Sequence, residues 1–241
     1  MEVKDKVVII TGASSGIGEA TAKLLSKNGA RVVLAARNLK KLEDLSKELK
    51  ESFVVKTDMT KEEEIKNLIQ KTEEHFGRVD ILINNAGQGY DAPVEKISTQ
   101  TFKSLFELDL LGPTIAMKEV IPLMKKQGRG SIINISSGTA LMALPNMSAY
   151  SSLKRAVVGM SLTANEELKE DNIKVSVVYP YITLTDFEKN TIKDGVREEN
   201  WENNDPDFQP PDTAEYIAEK ILEAIKTGRP EVFAHNWMSS H

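Results

Sequence analysis

The sequence contains no cysteine and only three histidines. Without cysteine the chain can form no disulfide, thiolate metal site or thiol nucleophile, and its composition fits a reducing compartment. The histidines, His75, His235 and His241, lie far apart, and none has an acidic partner at the spacing of metal ligands. The sequence therefore predicts no metal site.

Excess positive charge and long apolar segments are also missing. The chain has 31 Lys and Arg against 36 Asp and Glu, a net charge of -5, which disfavours a nucleic-acid partner because phosphate binding needs a clustered basic surface. No apolar run approaches the roughly 18 residues of a membrane helix, and residues 1–5 do not resemble a signal peptide. We therefore expect a globular, cytoplasmic protein with no nucleic-acid or membrane partner.

Short apolar segments alternate with longer segments of helical periodicity, which is typical of βαβ units and a parallel sheet covered on both faces. Seven strands are predicted, at 6–11, 31–36, 53–57, 79–84, 131–136, 173–179 and 231–234. Helices are predicted near 16–27, 38–50, 61–76, 99–126, 149–170 and 212–226. The length of 241 residues allows one or two domains, and we expect one α/β domain over residues 1–241.

The segment at 186–211 breaks this alternation. It is charged, contains Gly195, Pro206, Pro210 and Pro211, and shows only weak periodicity. Loops of this length within compact domains are commonly lids or binding loops, so we expect a substrate loop here. An inert surface excursion is the alternative.

A glycine-rich segment, Thr11–Gly18, connects the first strand to the first helix. Gly12 permits the tight turn, Gly16 lets the backbone approach a pyrophosphate, and Gly18 allows close packing of the helix on the strand. The helix then presents unpaired N–H groups and its positive dipole end to the anion. The strand before and the helix after the motif favour a dinucleotide site over an ordinary turn.

The end of the second strand indicates which dinucleotide is bound. No carboxylate stands at Ala36 to bind the ribose 2′-hydroxyl of NAD, and Arg37 follows with a guanidinium suited to a 2′-phosphate. The sequence therefore favours NADP(H), with Ser14 and Ser15 as further hydroxyl donors. The alternative is that Arg37 is an ordinary surface charge.

Polar residues follow the fourth and fifth strands, at the sheet edge where ligands bind in open α/β sheets. Asn85 and Gly87 follow the fourth strand and Ser137 follows the fifth. Tyr150 and Lys154 then stand four residues apart on one predicted helix and share a face. A neighbouring cation favours the phenolate form of tyrosine, which makes Tyr150 a candidate proton donor and acceptor. Taken alone, this pair is more often structural.

These motifs in this order and spacing resemble the short-chain dehydrogenase/reductase family, in its single-domain branch of about 250 residues. The likeness is close over residues 4 to about 186 and weaker over 212–234. It implies a Rossmann-like doubly wound domain with a seven-stranded parallel sheet in the order 3-2-1-4-5-6-7 and helices on both faces. It also implies a homodimer or homotetramer, built through the helices near 99–126 and 149–170.

The resemblance also implies roles for residues. Tyr150 would exchange a proton with the substrate oxygen, Ser137 would hydrogen-bond that oxygen, and Lys154 would hold the nicotinamide ribose hydroxyls and lower the pKa of Tyr150. The implied cofactor contacts, besides Tyr150 and Lys154, are Gly12, Ser14, Ser15, Gly16, Ile17, Gly18, Arg37, Asp58, Met59, Asn85, Ala86, Gly87, Pro180, Thr183 and Thr185.

Two positions depart from the family pattern. Asp109 replaces the usual asparagine, whose main-chain carbonyl supports a proton relay to the lysine. Pro113 lacks an N–H, so it leaves the Asp109 carbonyl free to hold a water, and we expect the relay to survive with Asp109 among the catalytic residues. The alternative is impaired turnover, because a carboxylate cannot donate as an amide does. Tyr181 stands where the family usually has glycine, and a tyrosine there would carry a steric cost if the backbone had positive φ. The alternative is that Tyr181 packs against the 186–211 loop.

The predicted function is that of an NADP-dependent oxidoreductase interconverting a secondary alcohol and a ketone or aldehyde. The alternative is a catalytically impaired NADP(H)-sensing regulatory protein of the same fold, because a fold does not secure a function. Oxoacyl thioesters, free ketones, sugars and steroids all remain open as substrates. The segments at 88–97 and 186–211 should discriminate among them.

Overall fold

The computed structural model of the chain describes residues 1–196 and 210–240, and in them seven strands form one parallel sheet. The strands are β1 (Val7–Thr11), β2 (Arg31–Ala36), β3 (Ser52–Lys56), β4 (Ile81–Asn84), β5 (Gly130–Ile135), β6 (Ile173–Tyr179) and β7 (Glu231–Phe233). They lie in the order 3-2-1-4-5-6-7, and every pair is parallel. The predicted sheet is confirmed.

Helices cover both faces of this sheet. They are α1 (Gly16–Lys27), α2 (Leu39–Glu48), α3 (Glu62–Phe76), α4 (Thr99–Phe106), α5 (Gly112–Gln127), α6 (Ser148–Glu167) and α7 (Ala214–Thr227). The core on one face draws on α1, α2 and α7, and the core on the other draws on α3, α5 and α6. The doubly wound α/β class is confirmed. In the described residues, no helix is long and apolar enough to cross a membrane.

Strand β1 shows why the sequence folds this way. Val8 and Ile10 belong to the core beneath α1, α2 and α7, while Val7 and Ile9 belong to the core on the opposite face. All four side chains are fully buried. A continuous apolar run is therefore the sequence pattern of a strand covered on both faces.

The prediction of one helix over 99–126 is wrong in one respect. A π-helical turn, Glu107–Leu111, separates α4 from α5. The N–H of Gly112 bonds to the carbonyl of Glu107, five residues earlier, and Pro113 has no N–H with which to restore the α-helical pattern. Such turns are often found at functional sites. This one carries the buried side chain of Asp109.

Two short pairings cover the carboxyl edge of the sheet. Tyr90–Asp91 pairs with Ile192–Lys193, and Thr183–Leu184 pairs with Asp212–Thr213. The first pairing holds part of the predicted substrate loop 186–211 against the segment after β4. Residues 197–209 of that loop lie outside the described residues.

Candidate active site

The loop between β1 and α1 depends on glycine. Gly12 and Gly16 have φ values of +67° and +55°. A Cβ atom at Gly12 would lie 2.8 Å from Ala86 Cα, and one at Gly18 would collide with the Gly12 carbonyl and lie 2.6 Å from Asn85 Nδ2. The loop thus packs more tightly than a residue with a side chain would permit.

Asn85 and Thr11 join this loop to the end of β4. The Asn85 amide donates to the carbonyls of Thr11 and Gly12, at 3.0 and 3.3 Å. The Thr11 hydroxyl accepts from the backbone N–H groups of Asn85 and Ala86, at 3.0 and 3.1 Å. The Asn85 side chain therefore holds the glycine loop in place, a role that the sequence analysis did not assign to it.

The start of α1 can accept an anion. Helix α1 begins at Gly16, so its first N–H groups point out of the helix end. A Cβ atom at Gly16 would lie 3.1 Å from the Thr185 methyl carbon, which places Thr185 at the entrance of this loop. Ser14, Ser15 and Ile17 are half-buried around it. This cradle, which a Cβ would fill, fits the pyrophosphate of a dinucleotide.

The ends of β2 and β3 bring Arg37 and Asp58 close together. Arg37 is exposed directly after β2. Partial burial acts to raise the pKa of Asp58, but hydrogen bonds from the Thr60 N–H and hydroxyl and the charge of Arg37 lower it overall. Met59 beside it is buried. The structure thus places a cation and an acceptor together where the adenosine half of a dinucleotide would end.

Tyr150, Lys154 and Asp109 meet in a buried cluster. The Lys154 ammonium lies 5.5 Å from the centre of the Tyr150 ring and 2.8 Å from Asp109 Oδ1, and it donates to the carbonyl of Ile135 at 3.3 Å. Asp109 Oδ2 accepts from the N–H of Gln88 at 3.2 Å. The expected proton relay relied on the main-chain carbonyl of Asp109, and the alternative was that its carboxylate impairs turnover. In the structure this carboxylate lies on the lysine.

Burial and charge act together on Tyr150. Burial raises the pKa of the phenol, the Lys154 ammonium lowers it, Asp109 raises it again, and a hydrogen bond from Ser137 lowers it, with a raised pKa as the result. The sequence predicted a pKa lowered by Lys154. That lowering is present, but burial and the Asp109 charge outweigh it. Asp109 also raises the pKa of Lys154 against the effect of burial, so the lysine keeps its proton.

The segment after β6 corrects the expectation for Tyr181. Among the described residues, only Asp5, Asn146 and Asn172 combine a side chain with positive φ, so the predicted steric cost at Tyr181 is wrong. Its ring lies edge-on to His235 and Trp237, with centroids 5.8 and 5.5 Å apart.

The other residues predicted in this segment have structural partners. Pro180 accepts a backbone bond of 2.7 Å from Gly138, which links the segment to the residue after Ser137. The Thr183 hydroxyl donates to the carbonyl of Tyr181 at 2.8 Å. Pro180 therefore lies close to Ser137, while Thr183 takes part in the pairing with Asp212–Thr213.

Sequence reasoning missed three residues around this cluster. The ring of Phe187 lies 6.1 Å from the Tyr150 ring, the Gln88 N–H reaches Asp109, and the charge of Asp91 acts to raise the pKa of Tyr150. Gln88 and Asp91 lie within the 88–97 segment, and Phe187 lies within the 186–211 loop. These are the two segments that are expected to discriminate among substrates. Nothing in the local sequence of these two segments indicates which of their residues approach the cluster of Tyr150, Lys154 and Asp109.

Comparison with known proteins agrees with this geometry. A family model described as short chain dehydrogenase matches residues 6–195. An uncharacterised oxidoreductase of Staphylococcus saprophyticus is 39% identical over 189 residues, which cover 77% of this chain and 77% of that protein.

Solved structures show the same likeness. A 3-ketoacyl-(acyl-carrier-protein) reductase from Brucella melitensis, complexed with NADH, has a TM-score of 0.85 and 26% identity, covering 92% of this chain and 91% of that chain. An alcohol dehydrogenase from the archaeon Thermococcus sibiricus, complexed with 5-hydroxy-NADP, has a TM-score of 0.82 and 27% identity. The match covers 95% of this chain and 96% of that chain. Similar proteins thus bind both NADH and an NADP derivative.

Proposed function

Because the chain belongs to the short-chain dehydrogenase family and is one of its oxidoreductases, we propose that it interconverts a secondary alcohol and a ketone or aldehyde with NADP(H). The observation that carries the proposal is the buried position of Tyr150, with the Lys154 ammonium 5.5 Å from the centre of its ring and a hydrogen bond from Ser137 to its phenol. A phenol between a hydroxyl and an ammonium can exchange a proton with an oxygen atom of a substrate.

The catalytic residues divide the chemistry as follows. In reduction, the Tyr150 phenol gives its proton to the carbonyl oxygen while the Ser137 hydroxyl donates a hydrogen bond to the same oxygen. In oxidation, the Tyr150 phenolate takes the proton of the alcohol. Lys154 stabilises the phenolate through its charge. When bound, NADP(H) supplies or accepts the hydride. Asp109 contacts Lys154 and acts through it.

The cofactor would lie across the carboxyl edge of the sheet. The glycine loop and α1 would hold the pyrophosphate, Arg37 the 2′-phosphate, Asp58 and Met59 the adenine, and Lys154 the nicotinamide ribose. The remaining proposed contacts are Ser14, Ser15, Ile17, Asn85, Ala86, Gly87, Tyr150, Pro180, Thr183 and Thr185. We propose that one domain carries both these contacts and the catalytic residues.

Replacing Arg37 by Ala tests the choice of NADP(H). We expect about a tenfold to hundredfold loss of kcat/KM for NADPH, because a charged contact to the 2′-phosphate contributes about 1.5–3 kcal/mol. NADH, which lacks that phosphate, should lose little. Steady-state kinetics with each cofactor measures both effects.

Arg31→Ala is the matched control for Arg37. Arg31 pairs with Glu51 at the opposite end of β2, so its removal should leave the cofactor preference unchanged. A clear preference of the wild-type protein for NADH would sink the assignment to NADP(H).

We also propose a homodimer or homotetramer assembled through α5 and α6. Ile121, Met160 and Thr163 line a groove between these helices. Analytical ultracentrifugation should show a dimer or tetramer, and Thr163→Arg should shift it toward monomer because a buried unpaired charge is costly. Gln70→Arg, on the exposed side of α3, is the control. A wild-type monomer contradicts the proposal.

A panel of carbonyl compounds assayed with NADPH tests the enzymatic activity itself. We expect loss of NADPH absorbance with at least one ketone or aldehyde. A protein that binds NADPH but reduces no member of the panel would fit the alternative of an NADP(H)-sensing regulator. The panel should include an oxoacyl thioester, a free ketone, a sugar and a steroid. The cytoplasmic location stays a prediction.

A further inference from the structure

The contact between Asp109 and Lys154 joins two fully buried, oppositely charged side chains. Asp109 Oδ1 lies 2.8 Å from Lys154 Nζ, and the side chains of the two residues are 0% and 6% exposed. Gly87 makes room for this contact, because a Cβ atom there would lie 2.8 Å from Asp109 Oδ1. The π-helical turn and the glycine together allow the carboxylate to reach the lysine.

Both oxygens of Asp109 face hydrogen-bond donors. Lys154 offers an ammonium, which has no acceptor, and Gln88 offers a backbone N–H. A protonated carboxyl group would have to turn its own proton toward one of these donors. Burial raises the pKa of Asp109 overall, against the lowering effects of the Lys154 ammonium and the Gln88 N–H. The positions of these two donors nevertheless fit an ionised carboxylate.

The pair carries no net charge, and this changes the field at Tyr150. An unopposed Lys154 would stabilise the phenolate strongly, because the phenolate and the ammonium have opposite charges. The other groups that act on Tyr150 are the Ser137 hydroxyl, which lowers its pKa, and Asp91, which raises it. With Asp109 in place, both acidic neighbours favour the neutral phenol.

We propose that Asp109 is a positioning residue that balances the charge of Lys154 and so keeps Tyr150 in its proton-donating form up to alkaline pH. This inference rests on the proposed function. By this effect, Asp109 extends carbonyl reduction to higher pH and confines alcohol oxidation to more alkaline conditions. The equilibrium of the reaction is unchanged, since only the protonation range of Tyr150 moves.

The test is the pH dependence of kcat/KM in both directions for the wild type and Asp109→Asn, with the best carbonyl of the panel and its alcohol. In the variant, we expect the alkaline limb of reduction and the acidic limb of oxidation to move to lower pH by about one unit or more. A merely structural role would scale the rates without moving either limb.

Asp44→Asn is the control for removal of a carboxylate. Asp44 also contacts a lysine at 2.8 Å, in the pair with Lys47, but that pair is exposed on α2. Neither limb should move in this variant. Asp109→Ser, a second neutral replacement, should move both limbs in the same direction as Asp109→Asn and covers the case in which that variant does not fold.

Titration of the apoprotein separates this inference from the proposed function. The ultraviolet phenolate signal of Tyr150 is obtained by subtracting the titration of Tyr150→Phe in the same background. It should begin at lower pH in Asp109→Asn than in the wild type, even if no carbonyl is turned over. An unchanged or higher onset, or limbs that stay in place or move to higher pH, overturns the role given to Asp109.

Discussion

Tyr150→Phe should lower kcat for carbonyl reduction about 10²- to 10⁴-fold, the usual contribution of a positioned acid. The replacement removes only the hydroxyl and keeps the ring, which is buried and packs in the small core with Leu153 and Ala149. We therefore expect the protein to fold and to bind NADPH within a few-fold of the wild type. Assays with the panel give kcat, and titration calorimetry gives the affinity for NADPH.

Tyr216→Phe is the matched control for this loss. The Tyr216 hydroxyl donates to the carbonyl of Ala234 at 2.6 Å, so its removal takes away a hydrogen bond of a tyrosine that has no proposed catalytic role. It should leave kcat near the wild-type value and cost about 1 kcal/mol of stability. Activity retained by Tyr150→Phe would refute Tyr150 as the proton donor.

Gly18→Ala should have the second large effect, on cofactor binding and on stability. The added methyl group would collide with the carbonyl of Gly12 and press on the Asn85 amide. Because the first obstacle is backbone, relief requires α1 to move away from β1. We expect a loss of about 1–3 kcal/mol in the free energy of unfolding, typical of overpacking. Denaturant unfolding measures this loss.

Cofactor affinity should fall in the same variant, because the displaced loop no longer offers its N–H groups in place. We expect NADPH binding at least about tenfold weaker, the loss that corresponds to roughly 1.4 kcal/mol. Gly159→Ala adds the same methyl group on α6, where nothing lies within 4 Å. That control should bind NADPH normally; because Gly159 lines the proposed α5–α6 interface, the control is used for cofactor binding alone. Normal binding by Gly18→Ala would contradict the proposed pyrophosphate site.

Much of the fold could be predicted from local patterns. All seven strands begin and end within two residues of the predicted bounds, since a strand buried on both faces requires a continuous apolar run. The order of the strands came from the family resemblance, because periodicity carries no information on which strands are neighbours. The interruption by Glu107–Leu111 was missed, since propensity and spacing do not distinguish a π turn from a continuous helix.

The candidate site could be predicted in its parts but not in its contacts. Tyr150 and Lys154 are four residues apart on one helix, so their shared face follows from the helical repeat. The approach of Phe187 to Tyr150 and the ring contacts of Tyr181 join segments that are remote in the chain. Such contacts depend on how loops pack on the sheet edge, which no local pattern specifies.

Local sequence patterns sufficed to predict the α/β class, the glycine loop and the residue types proposed for catalysis, because each depends on neighbours in the chain or on a fixed spacing. The tertiary structure alone decided the electrostatic state of the site. It placed one oxygen of the Asp109 carboxylate on Lys154 and the other within hydrogen-bond distance of the Gln88 N–H. Burial strengthens these charge interactions, since water no longer screens them. The pKa of Tyr150 is therefore a property of the folded cluster.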